Sequence, residues 1–246
     1  MLWQPIGVVH SCFREKFGIP RQPGLAPHAR AWIEMDPPYD DPDAFRGLEA
    51  FSHLWVAWVF HQNKATRWSP LVRPPRLGGN AKKGVFATRS PYRPNPLGLS
   101  VVELVDIQQE AGSVRLLIRG ADMVDGTPVI DIKPYIPYAD ALPEALADFA
   151  AEPPRPRLRV TFSEHALDQL RHIDGDSYPD LDRLIVDVLA GDPRPAYRAK
   201  EADGEFAMRL YQWDVKWRIE GDRVEVLALE PMPHRTPERG KVGDSP

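Results

Sequence analysis

Strand-like groupings of apolar positions dominate the first 140 residues. Short β-branched or aromatic runs bounded by Gly, Pro, Asn or Asp cover residues 6–10, 29–35, 51–60, 84–88, 99–107 and 114–118, which predicts strands. In the last of these Val114, Leu116 and Ile118 alternate with Arg115 and Leu117, as in a half-buried strand. Residues 122–132 read as strand, a turn at Asp125-Gly126-Thr127-Pro128, and strand. Six or seven strands with few helical patterns between them predict a mainly antiparallel sheet or barrel and disfavour a doubly wound fold.

The period changes beyond the proline-rich stretch 151–156, which reads as a semi-rigid connector. Ser163 is the predicted N-cap of a short helix carrying Ala166, Leu167 and Leu170. A second helix carries Leu181, Leu184, Ile185, Val188 and Leu189, with Gly191 at its C′ position and Pro193 just beyond. Three strands follow at 206–213, 215–219 and 224–229, and Glu220-Gly221-Asp222 supplies a hairpin turn. The expected fold class is therefore mainly β plus a small α+β domain. Its parts are a β domain at 1–145, a Pro-rich linker at 146–157, a helix-helix-strands domain at 158–231 and a disordered tail at 232–246.

Composition narrows this further. Proline makes up 27 of the 246 residues, roughly twice the ~5% average usage, which disfavours long helices. Cys12 is the single cysteine, so no intrachain disulfide or CxxC-type zinc site can form, and a reducing compartment, the cytoplasm, is expected. No apolar run resembles a signal peptide or a membrane span, so a soluble protein with no membrane partner is expected.

The formal net charge of −4 argues by itself against a nucleic-acid partner, but the charge is segregated. Residues 50–102 contain no Asp or Glu and eight basic residues: Lys64, Arg67, Arg73, Arg76, Lys82, Lys83, Arg89 and Arg93. The chain is thus +8 in that block and −12 outside it, which points to an anionic ligand there.

GxGxxG, GxxxxGK[ST], HExxH and GxSxG are all absent, so the nucleotide-fold, P-loop, zincin and hydrolase readings have no support. Three segments stand out instead. In Arg89-Ser90-Pro91-Tyr92-Arg93-Pro94-Asn95-Pro96-Leu97-Gly98, three prolines stiffen a loop presenting Arg93 and Asn95, groups suited to a carboxylate, a phosphate or a base edge. The plain alternative is a surface turn. Phe60-His61-Gln62-Asn63 closes an apolar run with three hydrogen-bonding side chains, either a ligand-facing sheet rim or a merely polar strand end. Asp131, between Ile130 and Ile132 in a strand, needs a partner such as Lys133 or a ligand. Asp125 is more simply a turn cap.

Taken together, IGVVHS, EKFGIPRQPGL, RGLEAFSHLWV, FHQN, PPRLGGNAKKGVFATRSPYRPNPLGLSVVEL and DGTPVIDIKPY resemble the TsaA-like or TrmO family of S-adenosylmethionine-dependent tRNA methyltransferases, over roughly residues 4–140. The resemblance implies a single-sheeted β-barrel, a homodimer with the cofactor near the subunit contact, and no metal. The implied reaction is N6-methylation of N6-threonylcarbamoyladenosine at position 37, beside the anticodon of a threonine tRNA. Carried over by motif, Pro20, Arg21 and Gln22, His61 and Gln62, Arg89, Leu99, and Asp125, Gly126, Thr127 and Pro128 contact S-adenosylmethionine. Arg93, Asn95, Lys82, Lys83 and Lys133 are substrate-binding candidates, and Asp131 is the candidate base. A non-catalytic RNA-binding module, or a methyltransferase acting on another substrate, stays open as an alternative. The C-terminal segment more faintly resembles RelE/ParE-type toxins, so that Arg198, Lys200, Arg209, Lys216 and Arg218 form either an accessory RNA surface or an ordinary charged face.

Overall fold

The computed structural model describes residues 3–63, 68–78, 80–110, 112–194 and 203–232; Lys64, Arg67, Arg198, Lys200 and the expected tail beyond residue 232 lie outside them. Six strands close into a barrel: β1 (Gly7–Ser11), β2 (Arg30–Met35), β3 (His53–Val59), β6 (Leu97–Glu110), β7 (Ser113–Arg119) and β8 (Thr127–Pro134). Around the barrel the order is β1-β2-β7-β6-β3-β8, and every neighbouring pair is antiparallel. The period-two pattern explains the closure. Ile33, Leu54, Val56, Val114, Leu116, Ile118 and Val129 all point inward and are fully buried, so the lumen is filled by side chains and ligands must bind at a rim or on the outer face. Two glycines permit close approaches: a Cβ on Gly7 would lie 2.4 Å from the Glu34 carbonyl oxygen, and one on Gly98 would lie 2.3 Å from the Trp58 ring.

Two predicted strands are corrected. Residues 84–88 do not form a strand of the sheet. Only Lys83–Gly84 (β5) pairs, with Leu71–Val72 (β4), and Val85–Ala87 then turns as a 3-10 helix that buries Val85. Residues 122–126 are a loop, because the chain leaves β7 at Gly120 with φ +77° and re-enters the sheet only at Thr127.

The second core is a four-stranded sheet, β10 (Asp203–Leu210), β11 (Trp213–Glu220), β12 (Arg223–Pro231) and β9 (Arg159–Phe162). Helices α2 (Glu164–His172) and α3 (Leu181–Ala190) accompany it, and one further helical turn, α1 (Pro137–Asp140), follows β8. Ser163 caps α2 as expected, its Oγ accepting from the Ala166 amide at 3.1 Å. The stop of α3 differs: Gly191 stays right-handed, and Asp192 takes the left-handed position at φ +55°. β9, unforeseen in the sequence, pairs in parallel with β12.

The connection between β1 and β2 belongs to this second core. Cys12, Phe13, Ala26 and Ala29 are buried in it beside Leu189, Met208 and Trp217, and Phe13 bridges to Leu210. Arg30 to Asp180 at 3.0 Å and His28 to Asp187 at 2.9 Å reinforce the junction.

Candidate functional site

The strand register brings the candidate loops to one rim. Ser11 pairs with Ala31, Arg30 with Arg119, Val9 with Thr127, and Val59 with Leu97. Consequently the β1–β2 connection, the chain between β3 and β6, and the β7–β8 loop all leave the barrel at the same end. These segments carry the cofactor candidates except Leu99, just below this rim, and Thr127 and Pro128, which open β8 at it, and they include the described part of the basic block.

Gln22 accepts a hydrogen bond through Oε1 from Arg89 Nη1 at 2.6 Å, joining two candidates 67 positions apart. Pro20 and Arg21 precede it on the same loop; burial, then the neighbouring charge of Arg157, lowers the pKa of Arg21. Lys16 Nζ donates to the Gln62 carbonyl at 2.5 Å, and Asn63 Nδ2 donates to the Pro91 carbonyl at 2.9 Å, which ties FHQN to the proline loop. His61 is partly buried and its Nδ1 has no hydrogen-bond partner among the described residues. Burial lowers the His61 pKa, the Val59 backbone opposes this, and Lys16 adds to it. Burial and Lys16 both favour the neutral ring, whose partnerless Nδ1 a ligand can satisfy.

The turn from Asp125 to Pro128 is a corner post. Asp125 Oδ1 accepts from the Ser11 amide at 3.0 Å, Oδ2 accepts from Arg14, Gly126 donates to the Val9 carbonyl, and the buried Thr127 hydroxyl donates to the Val124 carbonyl. The Asp125 carboxylate is thus engaged by the protein itself.

Leu99 and Asp131 lie on the barrel's outer face, one on each side of Ala57, with which both are paired. A bulge between Ala57 and Trp58 in the β3–β8 ladder turns Asp131 outward while Val129 and Ile132 still face the core. Leu99 is 60% exposed, and the small Ala57 separates it from Asp131. The Asp131 carboxylate pairs with Lys133.

The remaining substrate candidates divide. Arg93 Nη1 donates to the carbonyls of Thr88 (2.7 Å) and Val85 (3.2 Å), so it braces its own loop. Lys83 pairs with Asp148 at 2.9 Å, and Arg76 donates to the Glu152 carbonyl, so residues 148–152 cover part of the basic block. Arg73, Lys82 and Asn95 are exposed. In the C-terminal sheet Lys216 pairs with Asp214 and Glu230, and Arg218 with Glu220 and Glu225, which neutralises part of that face.

Asp122 is a further polar group of this rim, which the strand reading of residues 122–132 hides. It sits in the β7–β8 loop at the rim, where Oδ1 accepts from Ser100 Oγ at 2.6 Å, and Ser100 Oγ in turn accepts from Trp58 Nε1 at 2.9 Å. Burial pushes its pKa up to about 6 against the opposing effects of Ser100 and Arg89. A lone carboxylate in the apolar run Ala121-Asp122-Met123-Val124 was the available signal.

Comparison with known proteins matches the same regions. The family model for the tRNA-methyltransferase O N-terminal domain matches residues 8–141, and that for the TrmO C-terminal domain matches residues 155–232. The tRNA (adenine(37)-N6)-methyltransferase of Escherichia coli K12 is 50% identical over 230 residues, 93% of this chain and 97% of that protein. A putative S-adenosylmethionine-dependent methyltransferase of Pseudomonas aeruginosa PAO1 is 49% identical over 224 residues, 91% of this chain and 95% of that protein. The crystal structure of TrmO from Pseudomonas aeruginosa superposes with a TM-score of 0.78 at 40% identity, covering 94% of this chain and 98% of that one.

Proposed function

The chain belongs to the TrmO family of tRNA methyltransferases, and from that premise we propose that it methylates N6 of adenine 37 in tRNA using S-adenosylmethionine. The acceptor in this reading is N6-threonylcarbamoyladenosine in a threonine tRNA. The working form is a cytoplasmic homodimer, and no metal takes part. No described helix is long and apolar enough to cross a membrane.

The observation that carries the reading is the unpartnered, partly buried His61 Nδ1 on a rim where Gln22 and Arg89 are already joined. S-adenosylmethionine has the complementary groups. Its carboxylate suits Arg21 or Arg89, the polar edge of its adenosine suits His61 and Gln62, and its apolar parts suit the surface formed by Leu99 and Ala57. Pro20 shapes the entering loop, and Asp125, Gly126, Thr127 and Pro128 fix the rim from below. When bound, the cofactor supplies a methyl group on a cationic sulfur together with its own leaving group.

The chain's own residues do the rest. N6 of the acceptor is a weak nucleophile because its lone pair is delocalised into the purine and the carbamoyl group, so orientation and removal of its proton govern the rate. Asp131 accepts that proton in this reading, Lys133 orients the carboxylate, and Asn95, Lys82 and Lys83 engage the anticodon loop, with Arg93 holding their loop in shape. Asp131→Asn should lower the single-turnover methylation rate about 10²- to 10⁴-fold while calorimetry shows S-adenosylmethionine binding as in the wild type. A wild-type rate in that variant removes Asp131 from the role.

The overall reading is tested by mass spectrometry of tRNA nucleosides from a strain lacking the gene. Loss of the N6-methylated threonylcarbamoyl nucleoside supports it. An unchanged nucleoside profile, or no calorimetric binding of S-adenosylmethionine at high micromolar concentration, rejects it in favour of an RNA-binding module.

A further inference from the structure

We propose that Trp68 and Phe86 form a stacking platform for unpaired bases of an RNA loop, and that Arg93 is the residue that positions it. The proposal rests on the reading of the chain as a tRNA methyltransferase and specifies which surface meets the RNA.

Phe86 is 72% exposed and Trp68 52% exposed, yet the turn carrying Phe86 is held in place. Phe86 sits in the middle of the Val85–Ala87 turn, whose Val85 is buried. The Val85 amide donates to the Pro70 carbonyl at 2.9 Å, and the β4–β5 pairing sets Leu71 against Gly84. This small ladder brings the two rings together, with centroids 6.4 Å apart and planes 33° from one another. Arg93 braces the turn from behind through the Val85 and Thr88 carbonyls, and its guanidinium lies 5.7 Å from the Phe86 centroid. Two large, mostly exposed rings side by side, one of them on a hydrogen-bonded turn, form an apolar patch.

The surrounding charge selects the partner. Exposed Arg73 and Lys82 lie in the same segment, which lacks any Asp or Glu from residue 50 to 102. A phosphate backbone complements such a surface, and exposed aromatic rings add sequence-tolerant stacking to splayed bases. A duplex keeps its bases stacked on one another and has little use for the rings. A second copy of this chain would set the same positive segment against itself in a two-fold contact. The occupant that fits both the rings and the charge is therefore single-stranded loop RNA.

The test uses the full chain and fluorescence anisotropy with two probes, a threonine tRNA anticodon stem-loop and a fully paired RNA duplex of equal length. Phe86→Ala and Trp68→Ala should each weaken stem-loop binding roughly 5- to 150-fold, the range that stacking one base spans. Duplex binding and S-adenosylmethionine affinity should be unaltered, and Phe86→Tyr should restore stem-loop affinity. Arg93→Ala should raise the KM for tRNA with a smaller change in kcat, and Arg93→Lys, which keeps a donor for the carbonyls but loses the planar guanidinium over the Phe86 ring, should restore it incompletely. Wild-type stem-loop affinity in Phe86→Ala overturns the platform and leaves the methyltransferase reading intact if the wild type still methylates tRNA. Equal losses on stem-loop and duplex reduce the surface to electrostatics and also overturn it. So does a change of oligomeric state in Phe86→Ala, which would make the rings a subunit contact. Failure of the wild type to bind or methylate tRNA overturns both the platform and the reading on which it stands.

Discussion

Replacing Phe13 by alanine should destabilise the protein by about 3–5 kcal/mol, the usual cost of emptying a well-packed aromatic site, and should also weaken S-adenosylmethionine binding. Phe13 is fully buried in the C-terminal core although it leaves the barrel only two residues after β1 ends. Its carbonyl accepts from the Asp125 amide at 2.8 Å, and its amide donates to Ser11 Oγ at 3.1 Å. A cavity there loosens both the second core and the turn that fixes the rim. Urea unfolding measures the first effect and calorimetry with S-adenosylmethionine the second. Leu189→Ala, also fully buried in that core, should cost a comparable amount of stability and leave cofactor affinity in place. If Phe13→Ala binds the cofactor as the wild type does, the β1–β2 connection does not couple the two. The same burial predicts that removing residues 155–246 would expose Phe13 and its neighbours, so that a truncated chain tests the rim as well as any RNA surface.

Asp122→Asn should stabilise the protein at pH 8 by about 2 kcal/mol and have little effect at pH 4. The carboxyl is raised from an ordinary value of 3.8 to about 6, so ionising it costs more in the folded state than in the unfolded chain. A raised carboxyl pKa contributes no penalty below the unfolded value, a growing one from about pH 4 to 6, and its full penalty above that. A shift of this size corresponds to about 2–3 kcal/mol before solvent screening. Asparagine keeps an oxygen for Ser100 Oγ and removes the charge. Denaturation midpoints measured from pH 4 to pH 8 should therefore diverge between the two proteins across that window. A constant offset at every pH would mean that the substitution acts through packing alone.

Sequence and structure part company at identifiable places. The barrel strands were legible because each is half-buried in a filled barrel and alternates accordingly, as Val114, Leu116 and Ile118 do. β9 was not, because Arg159–Phe162 is short, half-exposed and paired only with a strand some 60 residues later. Residues 84–88 have the composition of a strand, but Val85 is drawn into the interior and Arg93 caps the carbonyls of the turn. Candidate residues carried by motif reached the same rim, yet their chemistry was divided there. Asp125 and Arg93 are engaged by neighbouring backbone and side chains, whereas His61 Nδ1 is left without a partner.

By itself the amino-acid sequence determined the periodicities, the Ser163 cap, the segregated positive block and the family likeness, all of which depend on residues near one another in the chain. Only the tertiary structure decided that residues 12–29 serve the C-terminal core, that the Ala57/Trp58 bulge turns Asp131 to the outer face, and that the largely buried Asp122 carboxyl meets Ser100. Each of these depends on strand register and burial between distant segments, and one residue of slip in a ladder sends a side chain to the opposite face.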